Sequence, residues 1–391
     1  MQILSYSFAI LTYLGGWRPV IWTTKYSIRL YGLFSSFTIF TIYTFAITEF
    51  IDLFNTDDVS ELINNCFMLL SIIGACSKVT NVLGRRESIL KLVDILCEDL
   101  CKPKNLREIE IQDKFERKIR RNTYLYVGLL EIATIAVTTN SLVNDLPNRV
   151  LPFKAWIPYN LETFPAFLLA YFHQTLANII CATVCAANET LVTGLMLQAC
   201  AQLEILSHRL ENLPKLIEYP KTVEENKKRI GKHNTLELKL FSDCIKHHHR
   251  IIEFSTSLNA TFSHVIFVQF AISIIVVCTS LFKLSKMKIM SGEFLSMILY
   301  LLAILVQIFI YCWYGNEVMI KSIEVGNAAY AMDWTLLNVN IRKNILILMI
   351  RALRPIKFTS GYIMVLSIDS YNNLMKLSYS AYNGLQQSAN R

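Results

Sequence analysis

The sequence predicts an all-α membrane protein with seven transmembrane helices, a cytoplasmic N-terminus and an extracellular C-terminus. Three observations support this prediction. The chain of 391 residues is 53% apolar and only 17% charged, whereas a soluble globular protein carries about 25% charged residues. Seven windows are apolar, or nearly so, over about the 20 residues that a helix needs to cross a hydrocarbon core. The basic residues fall mostly on one side of the alternating loops.

The seven candidate spans carry few charges. The first contains Glu49, the second has Lys78 near its end, and the third contains Glu131. The fourth, fifth and sixth contain no Asp, Glu, Lys or Arg, whereas the seventh is the most polar and includes Asp369 and Lys376. They lack the period-two alternation of strands in a membrane barrel. We predict the spans at residues 30–51, 62–82, 123–143, 164–187, 255–282, 294–316 and 358–385.

The distribution of basic residues predicts the orientation. With the N-terminus inside, 31 of the 38 Lys and Arg residues fall on the cytoplasmic side, counting Lys78 at the inner end of the second span, and 6 fall outside. An excess of basic residues in cytoplasmic loops is typical of membrane proteins. The net charge of +8 is therefore explained without nucleic acid, and we expect no nucleic-acid partner. A G-protein-coupled receptor has the opposite orientation, which would place those basic residues outside.

Several segments between the spans are predicted to be ordered, whereas residues 214–232 are predicted to be a linker. Residues 3–14 are apolar but lack the basic flank and cleavage site of a signal peptide, so we expect an interfacial or re-entrant helix. Residues 87–101 and 234–254 place apolar side chains at helical spacing, which indicates that the second, fourth and fifth helices continue into the cytoplasm. The proline-rich outer loop, residues 144–159, is expected to form a stiff, irregular lid.

Catalytic and metal-binding patterns are missing from the sequence. It has no P-loop, no H-E-x-x-H and no G-x-S-x-G. The consecutive residues His247, His248 and His249 point in different directions on a helix, so we predict a solvated basic patch and no metal site. The ten cysteines are interpreted as small apolar fillers. We therefore expect neither an enzyme nor a bound cofactor.

One face of the seventh span is polar. A polar stripe on a spanning helix has to face water or polar protein, because lipid cannot satisfy it. Several copies of such a helix around an axis can line a pore. The alternative is that the stripe is buried against the protein's own helices. The candidate pore-lining residues are Lys376, Ser380, Asn383, Gly384 and Gln387.

The outer half of the helix bundle is predicted to hold a ligand pocket. Aromatic and Met side chains with a few hydroxyls would bind a small volatile organic molecule mainly by burial, which contributes about 25 cal/mol per Å² of apolar area. The alternative is that these side chains only pack the bundle. The candidate ligand-binding residues are Cys66, Phe67, Leu70, Ser71, Ile135, Thr139, Tyr171, Phe172, Thr175, Phe267, Met297 and Tyr300.

Three domains follow along the chain. Residues 1–323 hold the N-terminal segment, the first six spans with the pocket, and the cytoplasmic stalks. Residues 324–357 are helical in pattern but too polar to span a bilayer, so we predict a cytoplasmic anchor helix. Residues 358–391 comprise the predicted pore-lining seventh helix and the C-terminal tail.

The chain resembles the insect odorant receptor family, specifically its ligand-tuning members. Length, seven spans and orientation match over nearly the whole chain, but gustatory receptors share these features. The more specific matches lie at both ends. They are GWRP at residues 16–19, AAY at 328–330, Trp334, MIRA at 349–352 with Pro355, Gly361, Ser367 and LMKLSYSAY at 374–382.

The resemblance implies a subunit of an odorant-gated, nonselective cation channel in the plasma membrane of a sensory neuron dendrite. Four subunits each contribute the seventh helix to one pore, and tuning members assemble with a common co-receptor in a heterotetramer. This chain lacks the long insertion that the co-receptor carries between the fourth and fifth spans. The family's narrow pore region maps to Asn383, Gly384 and Gln387.

Two alternatives to an odorant receptor stay open at this point. A gustatory-type channel would have the same architecture, although the gustatory ending T-Y-x5-Q-F is absent here. A secondary transporter is expected to show an inverted repeat or a broken helix at mid-membrane, and the sequence shows neither. The sequence does not identify the odorant, because apolar pockets discriminate weakly between molecules of similar shape.

Overall fold

A computed structural model describes residues 4–19, 22–54, 59–218, 227–287 and 291–389. Within these ranges the chain forms helices and one short β-hairpin, β1 (Thr359–Ser360) paired antiparallel with β2 (Met364–Val365). The helices are α1 (Ser5–Tyr13), α2 (Lys25–Phe54), α3 (Val59–Gly84), α4 (Arg86–Cys97), α5 (Leu106–Asn144), α6 (Phe164–Glu218), α7 (Lys227–Lys286), α8 (Gly292–Ala331), α9 (Val339–Ala352) and α10 (Ile368–Ala389).

Among the described residues, five helices are long and apolar enough to cross a membrane, namely α2, α5, α6, α7 and α8. They contain the first and the third to sixth predicted spans. The described apolar part of α3, Met68–Gly84, is shorter than a full span. Helix α10 is not among these candidates, so its membrane position stays a prediction, as does the orientation of the termini.

Several helices are far longer than a membrane is thick. Helix α6 has 55 residues and α7 has 60, which corresponds to about 80–90 Å at 1.5 Å per residue against a hydrocarbon core of about 30 Å. The fourth and fifth helices therefore extend well beyond the predicted spans, and the cytoplasmic location of these extensions stays a prediction. The second helix differs, because α3 ends at Gly84 and the amphipathic stretch forms a separate helix, α4. Helices α5 and α8 also extend well beyond their apolar spans, which the sequence analysis did not anticipate.

Helix α6 lies at the centre of the bundle. Leu191, Leu195, Ala199 and Leu203 are fully buried, and their neighbours on the other faces of the helix are buried as well. A helix that is apolar on all sides has to be surrounded by protein or lipid. Here α5, α7 and α8 pack around it, so it supports every other long helix.

The N-terminal helix α1 docks on α6. Its buried residue Ser7 donates a hydrogen bond from Oγ to Thr190 Oγ1 at 3.1 Å, and Leu11 is buried beside it. Gly194 of α6 makes room for this contact, because a Cβ at that position would collide with the Leu4 side chain. The predicted helix in residues 3–14 is therefore present, and it is fixed to the core.

The predicted patch of three solvated histidines is wrong for two of them. His247 and His248 are buried, and only His249 is exposed. His247 contacts Arg209 Nη1 through Nδ1 at 3.2 Å and Gln202 Oε1 through Nε2 at 2.8 Å. Arg209 in turn pairs with Glu108 at 2.8 Å. The histidine face of α7 turns towards α6, because this polar network joins α5, α6 and α7.

The segment before the last helix departs from the predicted continuous helices. The anchor segment is broken after Ala331 by a 3₁₀ turn at Trp334–Leu336, and α9 follows. Residues 358–365, which were predicted to begin the seventh span, form the hairpin instead. Gly361 and Tyr362 adopt left-handed backbone angles, with φ of 58° and 61°, which a helix excludes and a tight hairpin turn requires.

Candidate functional site

Two adjoining cavities lie in the half of the bundle that the proline-rich loop covers. The inner cavity has a volume of about 120 Å³ and lies between α3, α5, α6, α7 and α8. The outer cavity, of about 370 Å³, reaches from there to α2 and the loop. Met68, Val137, Asn178 and Tyr300 line both cavities. A molecule that enters the outer cavity therefore meets Tyr300 before it reaches the inner one.

The loop of residues 144–159 forms one wall of the outer cavity. It is irregular, as its prolines predict, and it is fixed at two points. The Phe153 amide donates to Gln174 Oε1 at 3.2 Å, and the Trp156 amide donates to the Thr48 carbonyl at 3.0 Å. The ring of Phe153 also packs 5.8 Å from that of Phe45. These contacts hold the loop against α2 and α6, where it covers the outer cavity.

The floor of the inner cavity contains a buried ion pair. Lys78 Nζ lies 2.7 Å from Glu189 Oε1, and the two side chains are 1% and 0% exposed. The Gln307 amide donates to the same Glu189 oxygen, and Gln269 Nε2 donates to Gln307 Oε1 at 3.1 Å. Charged side chains inside a membrane bundle are costly and usually serve a function.

The sequence analysis missed most of this polar floor. It noted Lys78, but Glu189 lies just beyond the predicted end of the fourth span and was not considered as its partner. The sequence did offer a signal for this ion pair: a single Lys lies near the inner end of one span and a single Glu lies near the inner end of another. Gln269 and Gln307 gave a weaker one, because amides within apolar spans also satisfy each other.

The structure brings three of the predicted ligand-binding residues to the cavities. Ser71 lines the inner cavity, Met297 the outer one and Tyr300 both, and the hydroxyls of Ser71 and Tyr300 are hydrogen-bonded to each other. Tyr171 is buried behind the outer cavity, where its hydroxyl lies 3.1 Å from the Oγ of Ser141, a lining residue.

Among the described side chains, the other predicted ligand-binding residues do not line either cavity. Leu70 and Thr175 are half-buried within the bundle. The side chains of Ile135, Thr139, Phe172 and Phe267 are exposed on its outside, Ile135 by 61% and Phe172 by 64%. Sequence spacing showed which residues share a helix face, but it did not show how each helix is rotated. Cys66 and Phe67 lie outside the described side chains.

The predicted polar edge of α10 is uncovered within one chain. Lys376, Ser380, Gly384 and Gln387 are exposed, and Asn383 is half-buried. Helix α10 packs on α7 and α8, and among its described side chains Leu374 and Ser378 are buried. The edge is therefore not buried against the protein's own helices.

The hairpin connects α10 to the helices that form the cavity wall. Asn259 of α7 accepts a hydrogen bond from the Thr359 amide at 2.8 Å, and Ser263 Oγ donates to the Thr359 carbonyl at 2.8 Å. Gly315 of α8 lies against Leu366, where a Cβ would approach the Leu366 carbonyl oxygen to 2.7 Å. Helices α7 and α8 thus hold the start of α10 and also line both cavities.

A family model described as "7tm Odorant receptor" matches residues 58–379 of the chain. The chain belongs to the odorant receptor family. It is a multi-pass membrane protein and a receptor rather than an enzyme, because its relatives are odorant receptors. This membership favours the odorant receptor over the gustatory-type and transporter alternatives.

Curated insect odorant receptors match this family member over most of its length. It is 25% identical to odorant receptor Or2 of Anopheles gambiae over 346 residues, covering 87% of this chain and 88% of that one. It is 24% identical to odorant receptor 46a, isoform B, of Drosophila melanogaster over 385 residues, covering 94% of each chain.

Solved structures show the same fold. The insect olfactory receptor OR5 from Machilis hrabei matches with a TM-score of 0.86 and 16% identity, covering 98% of this chain and 97% of that one. The same receptor in complex with eugenol matches with a TM-score of 0.84, also at 16% identity and with the same coverage. The all-α membrane architecture predicted from the sequence is therefore confirmed.

Proposed function

We propose that this chain is the odour-sensing subunit of a heterotetrameric, odorant-gated, nonselective cation channel. Its partner would be the common odorant receptor co-receptor, and the channel would lie in the plasma membrane of a sensory neuron dendrite. The observation that supports this best is that α7 and α8 both line the cavities and hold the hairpin from which α10 begins.

The two cavities suit a compact volatile molecule. The inner one is lined mainly by aliphatic and aromatic side chains, including Ile272, Val276 and Ile304. Burial of an apolar ligand against such walls contributes about 25 cal/mol per Å². The Machilis receptor has been solved with eugenol bound, and we infer a ligand of that small organic class here. The binding residues would be those that line the cavities, with Ser71, Met297 and Tyr300 among them.

The polar edge of α10 would border the pore. Lys376, Ser380, Asn383, Gly384 and Gln387 supply the amides, hydroxyls and backbone that a hydrated ion path needs. Their exposure in one chain leaves them available to a shared axis. In this proposal residues 1–323 sense the ligand, residues 324–357 anchor the subunits together, and residues 358–391 conduct ions.

Gating would follow from differential binding. A ligand opens a channel only if it binds the open arrangement more tightly than the closed one. A ligand that moves α7 and α8 apart would shift the hairpin and the start of α10 with them. The N-terminus would be cytoplasmic, because that orientation places 31 of the 38 basic residues inside.

Patch recordings test this proposal. The chain is expressed with the co-receptor, surface expression of both is confirmed, and a panel of odorants is applied. We expect a nonselective cation current that at least one odorant evokes and that cells with the co-receptor alone do not show. The absence of any odorant-evoked current from channels at the surface would contradict the proposal. Saturable uptake of a compound without current would instead indicate a transporter.

A further inference from the structure

The buried ion pair at the floor of the inner cavity has a position that packing does not explain. Replacing such a pair with apolar residues of similar volume often leaves stability unchanged or improves it. Lys78 and Glu189 are nevertheless almost fully buried, and Lys78 forms part of the cavity wall. An ionisable side chain in a membrane bundle that borders a cavity is a candidate for contact with the molecule that occupies it.

One N–H donor of Lys78 is not used by the hydrogen bonds within the described part of the protein. An ammonium group has three N–H donors. One serves Glu189 Oε1 at 2.7 Å, and a second serves Cys185 Sγ at 3.4 Å. Among the described residues, no third acceptor contacts this nitrogen. Because the side chain lines the cavity, the remaining N–H is available to a molecule inside it.

The neighbouring amides are already engaged. Gln269 Nε2 donates to Gln307 Oε1 and to Ser273 Oγ, at 3.1 and 2.9 Å. Gln307 donates to Glu189 with one of its two N–H groups. Lys78 is therefore the charged donor at this floor with an N–H to spare, and the walls around it are mainly apolar.

We propose that Lys78 donates a hydrogen bond to the ligand. The receptor would then select compact, uncharged molecules that carry an acceptor oxygen, such as ketones, aldehydes and esters. Glu189 neutralises Lys78, so the floor carries no net charge and suits a neutral dipole better than a carboxylate. The oxygen of the ligand would lie at Lys78, and its apolar remainder would lie against the aliphatic walls of the inner cavity, towards Tyr300. This inference rests on the proposed function.

Matched probes and variants test the inference in the full channel with its co-receptor. The probes are 2-heptanone and octane, which have the same number of heavy atoms, together with an aldehyde and an ester of similar length. The double variant Lys78→Met/Glu189→Gln removes both charges without leaving either partner unpaired. We expect its half-maximal concentration for 2-heptanone to rise at least about tenfold, because hydrogen bonds to charged donors are among the stronger ones. The value for octane, measured as an agonist or as a competitor, should change less than about threefold.

Two further variants complete the experiment. Val276→Ala enlarges the same cavity without removing a hydrogen-bond partner of Lys78, and it should shift both probes alike. Lys78→Arg keeps the charge balance but moves the N–H donors. If the double variant does not reach the surface, the half-maximal concentrations of 2-heptanone and octane are compared in Lys78→Arg instead, and the ketone should again shift more than the hydrocarbon. Equal shifts for ketone and hydrocarbon, or no shift, would overturn the role of Lys78 and leave the proposed function standing. A surface-expressed wild-type channel that responds only to hydrocarbons would also overturn the role of Lys78. A surface-expressed channel that responds to none of the odorants tested would overturn the role of Lys78 and the proposed function together.

Discussion

The contact between Gly315 of α8 and Leu366 allows a sharp test of how the cavity is linked to α10. In Gly315→Ala the added Cβ would lie 2.6 Å from Leu366 Cβ and 2.7 Å from the Leu366 carbonyl oxygen. Carbon atoms pack at about 3.5–4.0 Å, so α8 and the hairpin would have to separate by about 1 Å. The backbone oxygen cannot rotate away as a side chain could. Overpacking of this kind costs about 1–3 kcal/mol, which corresponds to about a 5- to 150-fold shift in a two-state equilibrium.

The assay is the basal and ligand-evoked current of the assembled channel at equal surface expression. If the docked hairpin controls α10, destabilising its contact should raise the basal current or move the half-maximal ligand concentration at least about fivefold. Gly128→Ala is the matched control, since a Cβ there meets nothing within 4 Å. If Gly315→Ala and the control have the same basal current and the same ligand sensitivity, the argument that the hairpin transmits ligand binding is refuted.

Three other variants, two of them with a matched control variant, test separate parts of the account. Tyr300→Ala removes a ring that lines both cavities and should raise the half-maximal odorant concentration about tenfold or more. Phe172→Ala is its control, since Phe172 lies on the outside of the bundle, and it should leave the half-maximal concentration within about twofold of the wild-type value. Gln387→Lys should lower single-channel cation conductance severalfold, because it adds positive charge to the proposed pore. An unchanged conductance would argue against a pore-lining position for Gln387. Arg209→Met strands a buried carboxylate and should destabilise the purified protein by about 3–5 kcal/mol in thermal unfolding. Arg107→Met breaks an exposed pair and should cost less than about 1 kcal/mol, so equal losses in the two would show that the Arg209 network is not structural.

The sequence predicted the helical architecture well, because the hydrocarbon core imposes a length and a composition on each span. It also predicted the ordered lid, since prolines restrict the backbone whatever surrounds them. It failed at the hairpin before α10. The local apolar composition of residues 358–365 suits a span, but tertiary bonds from Asn259 and Ser263 hold these residues as a turn.

The cavities lie in the half of the bundle where the sequence analysis expected a ligand pocket, but several of the predicted side chains do not line them. Ile135 and Phe172 are as apolar as Met297, and a helix exposed to lipid has the same composition as one exposed to a cavity. The rotation of each helix decides between them, and rotation depends on packing. The polar floor was missed for a related reason, because Lys78 and Glu189 lie 111 positions apart in the chain and become partners only when α3 packs beside α6.

The central claim is that a ligand in the cavities opens a pore bordered by the polar edge of α10. An image of the channel assembled with its co-receptor, with an agonist bound, tests this most directly. The account predicts ligand density beside Tyr300 and Lys78, with Ser380 and Gln387 facing a water-filled axis shared by the subunits. Agonist density elsewhere, or Ser380 and Gln387 facing lipid, would contradict it.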